Sequence, residues 1–190
     1  DRLPGPRPHV DRCGGCRMQE LPYPRQLEIK ERQVRDTLQH LGGIASPPVR
    51  AIAGATEVDR YRNKMEFSFH PDPEGVARLG LHERGAFDRV FELENCILPS
   101  TLTVEIVRLT QRIASERRWS AYHPARHDGM VRYLMVRHLP LTQECGVHLV
   151  AARGDIPGLE AGAAAAAPLS PQVKTVTLLR NDSRANIAFG

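Results

Sequence analysis

The chain has 190 residues, 41% of them hydrophobic, and a net charge of +4 in which all but three of the 26 basic side chains are arginine. This length suits one domain of good size or one and a half, and the hydrophobic fraction excludes a chain that is disordered throughout. The longest charge-free stretch near the end, residues 161–173, is too short and too rich in proline for a membrane span, which takes about 20 apolar residues.

The amino terminus and the cysteine count indicate the compartment. The sequence begins at Asp1, and its proline-rich start lacks the basic and apolar regions of a secretory signal. Four cysteines are too few for a disulfide scaffold, so a reducing compartment is favoured. We therefore interpret the chain as a piece of a longer cytoplasmic protein that is monomeric and not attached to a membrane.

The first 24 residues are rich in turn formers and show no periodicity, which predicts an irregular segment held in place through its cysteines. A helix is predicted over residues 25–41, because four aliphatic residues recur there at helical spacing. Gly42 and Gly43 supply a left-handed stop at its end. The predicted buried stripe consists of Leu27, Val34, Leu38 and Leu41.

A meander of three strands is predicted after the break at Ser46-Pro47-Pro48. In the first strand, Met65, Phe67 and Phe69 alternate with polar residues, which gives one dry and one wet face. The second strand contains Leu79 and Leu81, and the third covers residues 87–93. Turn residues connect the strands at 71–75 and at 84–85.

A second helix is predicted from the N-cap Ser100 to about residue 117. A hairpin follows over residues 130–138 and 147–152, then a helix at 161–167 indicated by its alanine content, and a last strand over 173–179. The short connections between strands favour an α+β fold, with an antiparallel sheet, flanking helices and the irregular cysteine-bearing segment at the amino terminus.

The cysteines carry the strongest chemical signal. Cys13 and Cys16 form a Cys-Gly-Gly-Cys pair, and Cys96 follows the third strand. A thioredoxin-type redox pair needs a preceding strand and a helix at the first cysteine, which a proline-rich start does not provide. Two thiolates around two glycines suit a metal ion or an iron–sulfur cluster, with Cys96 as a third ligand and His9 as a fourth if the metal is zinc. The alternative is that all three are structural thiols.

A basic stretch runs from Arg108 to Leu139 and includes Trp119, Tyr122 and Tyr133. Arginine with interleaved aromatic residues suits phosphate neutralisation and base stacking in RNA binding. The alternatives are a solvated helix face followed by ordinary strand edges, and a genome whose codons favour arginine over lysine. Strict alternation would place Arg132 and Arg137 on opposite faces unless a bulge intervenes.

Several segments, in the same order along nearly the whole chain, closely resemble those of the SAM-dependent RNA uracil-5-methyltransferases, which form 5-methyluridine. The resemblance begins with RPHVDRCGGCRMQ at residues 7–19, QLEIK at 26–30 and LGG at 41–43. It continues with YRNKM at 61–65, LGLHERG at 79–85, ENC at 94–96 and RYLMVR at 132–137. A match of this extent is far more specific than a single Cys-x-x-Cys pair.

In that family, the Cys-Gly-Gly-Cys pair, an earlier cysteine and a later cysteine bind a [4Fe–4S] cluster. The resemblance therefore implies Cys13, Cys16 and Cys96 as cluster ligands. Arg7 stands at the position of the first family cysteine, and its guanidinium has no lone pair to offer iron.

The resemblance also implies an organisation into residues 1–24, a cysteine-bearing metal segment, and residues 25–190, a central α+β domain that contacts ribosomal or transfer RNA. The SAM-binding Rossmann-like domain, the nucleophilic cysteine and the OB-fold domain of the family have no counterpart here, so this fragment alone is predicted to be inactive. Five basic residues are expected to contact RNA, namely Arg62, Lys64, Arg84, Arg132 and Arg137.

Two other interpretations stay open at this point. The first is a noncatalytic RNA-binding module stapled by zinc through His9 and the three cysteines. The second is a structural domain with reduced thiols, which would bind no metal and show no salt-dependent affinity for RNA.

Overall fold

The computed structural model of the chain describes residues 9, 11–152, 156–159 and 167–184. Arg7 and most of the helix predicted at 161–167 lie outside these residues; Ala167 begins a short 3-10 helix, Ala167–Leu169. The chain divides into two compact units. We call Asp1–Asp11 with Gly15–Val58 the helical unit, and Arg12–Gly14 with Asp59–Gly190 the sheet unit.

Helix α1, Tyr23–His40, dominates the helical unit and confirms the predicted helix. The segment after the helix lies along it, because the backbone N–H of Ile52 donates to Glu31 at 2.9 Å and that of Ala55 donates to the Tyr23 hydroxyl at 2.7 Å. Gly43 has the predicted left-handed conformation, with φ +65°. The predicted stripe is not buried within the described part of the chain, where Val34 is 52% and Leu41 86% exposed.

The sheet unit contains a six-stranded sheet with the order β3-β2-β1-β4-β5-β6. Its strands and its helix are β1 Lys64–Pro71, β2 Ala77–Glu83, β3 Ala86–Glu92, α2 Thr101–Glu116, β4 Val131–Leu139, β5 Glu144–Ala151 and β6 Val173–Arg180. All neighbouring pairs are antiparallel except β5 and β6, which run parallel. A parallel pair needs a crossover, and residues 152–172 connect these two strands. The α+β class is thus confirmed, with a mixed sheet.

Pairing of β1 with β4 forms the centre of the sheet. Phe67 lies opposite Leu134, and Met65 lies opposite Val136; all four side chains are at most 6% exposed. These residues define a core face, because alternate residues of a strand point to the same side. The intervening positions of the same strands define the other side, which we call the polar face. Its members are Lys64, Glu66, Ser68, Tyr133, Met135 and Arg137, continued by His148 on β5 and Thr177 on β6. Met135 is the apolar member of this set on β4 and is 3% exposed.

Helix α2 contacts β2 and β4 and begins as predicted, since the Ser100 side chain accepts a hydrogen bond from the backbone N–H of Thr103 at 3.2 Å. The turn before β2 also forms as predicted, with Asp72 accepting the N–H groups of Glu74 and Val76. In the described parts of the chain, neither α1 nor α2 combines the length and the apolar character that a bilayer crossing demands.

Candidate nucleic-acid interface

Three of the basic residues expected to contact RNA lie at one end of the β1–β4 pair. Lys64 and Arg137 are direct cross-strand neighbours on the polar face, and both are exposed. Arg62 is also exposed, and its backbone N–H donates to the carbonyl oxygen of Leu98 at 2.9 Å. Lys64 forms an ion pair with Glu66 at 2.7 Å. The pairing thus concentrates positive charge where a polyanion can reach it.

Arg132 is in a different environment, because it is only 3% exposed. One of its guanidinium nitrogens, Nη1, donates to the backbone oxygens of Asn181 and Ser183 at 2.9 and 2.7 Å. The guanidinium carbon lies 4.2 Å from the centre of the Tyr122 ring, a favourable cation–π distance. A register shift between Val131 and Tyr133 interrupts the strict alternation of β4. Contact of Arg132 with RNA stays a prediction.

Arg84 lies at the turn between β2 and β3, beside the first cysteine. Its backbone N–H donates to the oxygen of Arg12 at 2.7 Å, and its Nη2 donates to the oxygen of Cys13 at 3.3 Å. Arg12 in turn pairs with Glu83 at 2.6 Å, and this hydrogen bond lowers the pKa of the Glu83 carboxyl. Residues 12–14 are therefore held at the end of β2, where the backbones of Cys13 and Glu83 form an isolated antiparallel β-bridge.

The four cysteines differ in their exposure to solvent and in the compact unit to which they belong. Cys13 and Cys96 belong to the sheet unit and are 9% and 3% exposed, whereas Cys16 belongs to the helical unit and is half-buried. None of the four, all of which are described, forms a disulfide. Among the residues that the structure describes, no group of three His, Cys, Asp or Glu side chains is arranged to hold a metal ion.

Cys145 is a strand thiol, as predicted. It lies in β5 and is 1% exposed, and burial raises its pKa above the ordinary value. A nucleophilic cysteine must be accessible and must reach the thiolate form. Cys145 meets neither condition, so it cannot serve as the attacking group of a methyl transfer.

His148 is a polar-face residue that the sequence analysis did not single out. Its Nδ1 lies 2.7 Å from the hydroxyl oxygen of Thr177 on β6. Burial and the positive charge of Arg137 lower its pKa. Gly146 is the cross-strand partner of Arg137, and His148 lies two residues further along β5, so His148 and Arg137 are on the same face of the sheet. This proximity depends on the register between β4 and β5, for which the local sequence pattern carries no signal.

The lowered pKa of His148 predicts a pH dependence of stability. Below about pH 6.5, the unfolded chain takes up a proton at this histidine that the folded chain resists, so its contribution to the free energy of unfolding falls as the pH falls. Arg137→Gln removes one cause of the shift, and NMR titration of the His148 ring should then give a higher pKa. Arg180→Gln, which changes a residue directed to the other sheet face, should leave that pKa unchanged. Equal shifts in both variants would contradict this explanation.

Comparisons with known proteins relate the whole chain to RNA methyltransferases, although no protein-family model matches it. A Bacillus cereus protein named as an uncharacterised RNA methyltransferase is 31% identical over 183 residues, which cover 96% of this chain and 40% of that protein. A protein of the same description from Nostoc is 32% identical over 181 residues, covering 95% of the chain and 39% of that relative. The chain therefore spans about two fifths of the length of these relatives.

A solved structure with a similar fold is that of Pyrococcus abyssi tRNA (uracil-54, C5)-methyltransferase in complex with S-adenosyl-L-homocysteine. It superposes with a TM-score of 0.70 at 20% identity, and the match covers 97% of this chain and 40% of that one. The likeness shows a shared fold over nearly the entire chain. The relatives above confirm the resemblance found in the sequence motifs at the level of RNA methylation: the chain belongs to a family of RNA methyltransferases.

Proposed function

We propose that the chain is the RNA-contacting region of a SAM-dependent methyltransferase that forms 5-methyluridine in ribosomal or transfer RNA. Membership of the family supports the reaction class, and the complex of the Pyrococcus abyssi enzyme with S-adenosyl-L-homocysteine supports SAM as methyl donor. The observation that carries the RNA contact is the pairing of Lys64 with Arg137 on the polar face. We place the protein in the cytoplasm as a monomer.

The polar face suits an RNA backbone for electrostatic reasons. Lysine and arginine neutralise phosphates and release the counterions condensed on them, which makes affinity strongly dependent on salt. Arg62, Lys64 and Arg137 are exposed cations, and Glu66 is the carboxylate paired with Lys64. A phosphate can replace Glu66 at that ammonium at little cost, because exposed ion pairs contribute about 1 kcal/mol or less.

The salt dependence of RNA binding tests this proposal. We expect Lys64→Gln and Arg137→Gln each to reduce the slope of log affinity against log salt by about 0.7 for a single-stranded RNA, since each variant loses one phosphate contact. Arg180→Gln removes the same charge from a residue directed to the other sheet face and should retain the original slope. Fluorescence anisotropy between 50 and 200 mM salt measures the three slopes, and equal slopes in all variants would rule out the polar face as the RNA path.

We also propose that Cys13, Cys16 and Cys96 are the protein ligands of a [4Fe–4S] cluster. The family resemblance supports this, and thiolates are the ligands that such clusters require. Cys13 and Cys96 are shielded from solvent within one unit, and Cys16 is three residues from Cys13 along the chain. Because the described residues contain no preformed group of three ligands, the proposal requires that cluster assembly itself gathers them.

Anaerobic purification with quantification of iron, sulfide and zinc tests the cluster. We expect iron and acid-labile sulfide near stoichiometry, a loss of both in Cys96→Ser, and their retention in Cys145→Ser, which changes an equally buried thiol. One zinc without sulfide, lost in His9→Ala, would instead support the noncatalytic zinc-stapled module. Absence of iron, sulfide and zinc would show that Arg7, at the position of the first family cysteine, prevents this site from binding a metal.

The chain by itself is proposed to be inactive. The thiol of Cys145 is buried and resists ionisation, and the three remaining cysteines are assigned to the cluster. Incubation of the chain with SAM and ribosomal or transfer RNA should therefore yield no 5-methyluridine by mass spectrometry of RNA digests. Detection of the modified nucleoside above a protein-free control would contradict this.

A further inference from the structure

A cleft of about 350 Å³ lies in the sheet unit, and it is lined by the strands β1 to β3, the start of β4 and the segment that precedes β4. Its walls carry five rings of histidine or tyrosine and three hydroxyl groups. The residues concerned are Ser68, His70, His82, Tyr122, His123 and Tyr133. Asp88 and Arg132 also line the cleft. A concave site of this size, lined by aromatic rings together with a small number of polar and charged groups, is typical of sites that bind small-molecule ligands.

Hydrogen bonds hold two of these rings, those of Tyr122 and His82, in place. The Tyr122 hydroxyl oxygen lies 2.8 Å from Nδ1 of His127, and the Ser68 hydroxyl oxygen lies 2.9 Å from Nε2 of His82. The guanidinium of Arg132 covers the ring of Tyr122. Rings held in this way lose little conformational freedom when a ligand binds, which favours affinity.

The outer wall of the cleft is a tight turn. The backbone N–H of His127 donates to the oxygen of His123, and that of His123 donates to Asp128, both at 2.8 Å. Gly129 adopts φ +97°, and a Cβ atom there would lie 2.1 Å from the oxygen of Ala121. Only glycine fits at this position, so the local backbone preforms the wall that carries His123.

The chemistry of the cleft favours a neutral planar ligand over a phosphate. Burial, with the nearby rings of His123 and His82, lowers the pKa of His70, although the Asp88 carboxylate opposes this. The lowered pKa disfavours the charged form of His70, and the nearby Arg132 is already engaged by backbone oxygens. The described residues provide no group of three ligands for a metal ion here.

The cleft opens beside the proposed path of RNA. Ser68 and Tyr133 are cross-strand neighbours on the polar face, four residues along β1 and β4 from the pair Lys64 and Arg137. This separation is about 13 Å at the rise of a β-strand. A short run of nucleotides whose phosphates contact the cations can thus bring one base to the rings.

We propose that this cleft binds one unstacked nucleobase of single-stranded RNA between the rings of Tyr133 and His123. The inference rests on the proposed function and adds a base-binding site to the phosphate contacts of the polar face. Stacking on aromatic and histidine rings is the usual way in which proteins hold splayed bases. It tolerates any base, because every base has a π-face.

Two probes separate base binding from phosphate binding in the full chain. They are a single-stranded oligouridylate and an abasic ribose-phosphate oligomer of the same length. We expect Tyr133→Leu and His123→Ala each to weaken affinity for the oligouridylate about five-fold or more, in line with the loss of one stacked base. Affinity for the abasic oligomer and the salt slope should stay at the level of the unmodified chain.

Two controls accompany these variants. Tyr133→Phe retains the ring, and His40→Ala removes an exposed histidine at the end of α1. Both variants should bind oligouridylate as the unmodified chain does. If Tyr133→Leu fails to fold, as judged by circular dichroism, His123→Ala carries the test. An equal loss for both probes, or no loss for either, would overturn the base-binding cleft. If the unmodified chain binds neither probe, the proposed function itself fails.

Discussion

The antiparallel pairing of β1 with β4 is the constraint on which the rest of the sheet unit depends. It joins the meander of β1 to β3 to the three strands on the other side, and its register places Phe67 against Leu134 on one face and Lys64 against Arg137 on the other. A slip of one residue would exchange these faces, burying cations and exposing aromatic rings. The hydrophobic core and the concentration of positive charge therefore follow from one set of backbone hydrogen bonds.

Much of the fold was predictable because the signals are local. Alternation along residues 64–70 gave β1 and its buried face, Ser100 marked the start of α2, and the turn at residues 71–75 formed through the Asp72 side chain. The parallel direction of β6 was not predictable in this way. The strand's own pattern indicates only that it is a strand, whereas its direction depends on the long connection from β5.

The parts of the site that sequence reasoning did not supply depend on contacts between distant segments. Arg132 is buried because the register of β4 shifts beside it and because backbone oxygens at Asn181 and Ser183 receive its guanidinium; no local pattern encodes that arrangement. The histidine and tyrosine rings of the cleft come from β1, β2, β4 and the turn before β4, so their proximity exists only in the folded sheet. Conversely, the predicted apolar stripe was placed on a helix except for Leu41, which follows the last residue of α1, yet Val34 and Leu41 are exposed.

The nucleobase site can form only late in the synthesis and folding of the chain, because residues that line it are far apart in sequence. Two residues that line it, Ser68 and Tyr133, come together only through the β1–β4 register, and the whole of β2, β3 and α2 lies between them in sequence. Closing such a long loop carries an entropic cost and slows folding. A chain still emerging from the ribosome could form the meander and α2, but it would have no nucleobase site until β4 had been synthesised and had paired. Only molecules whose sheet is complete can therefore bind a base at this site.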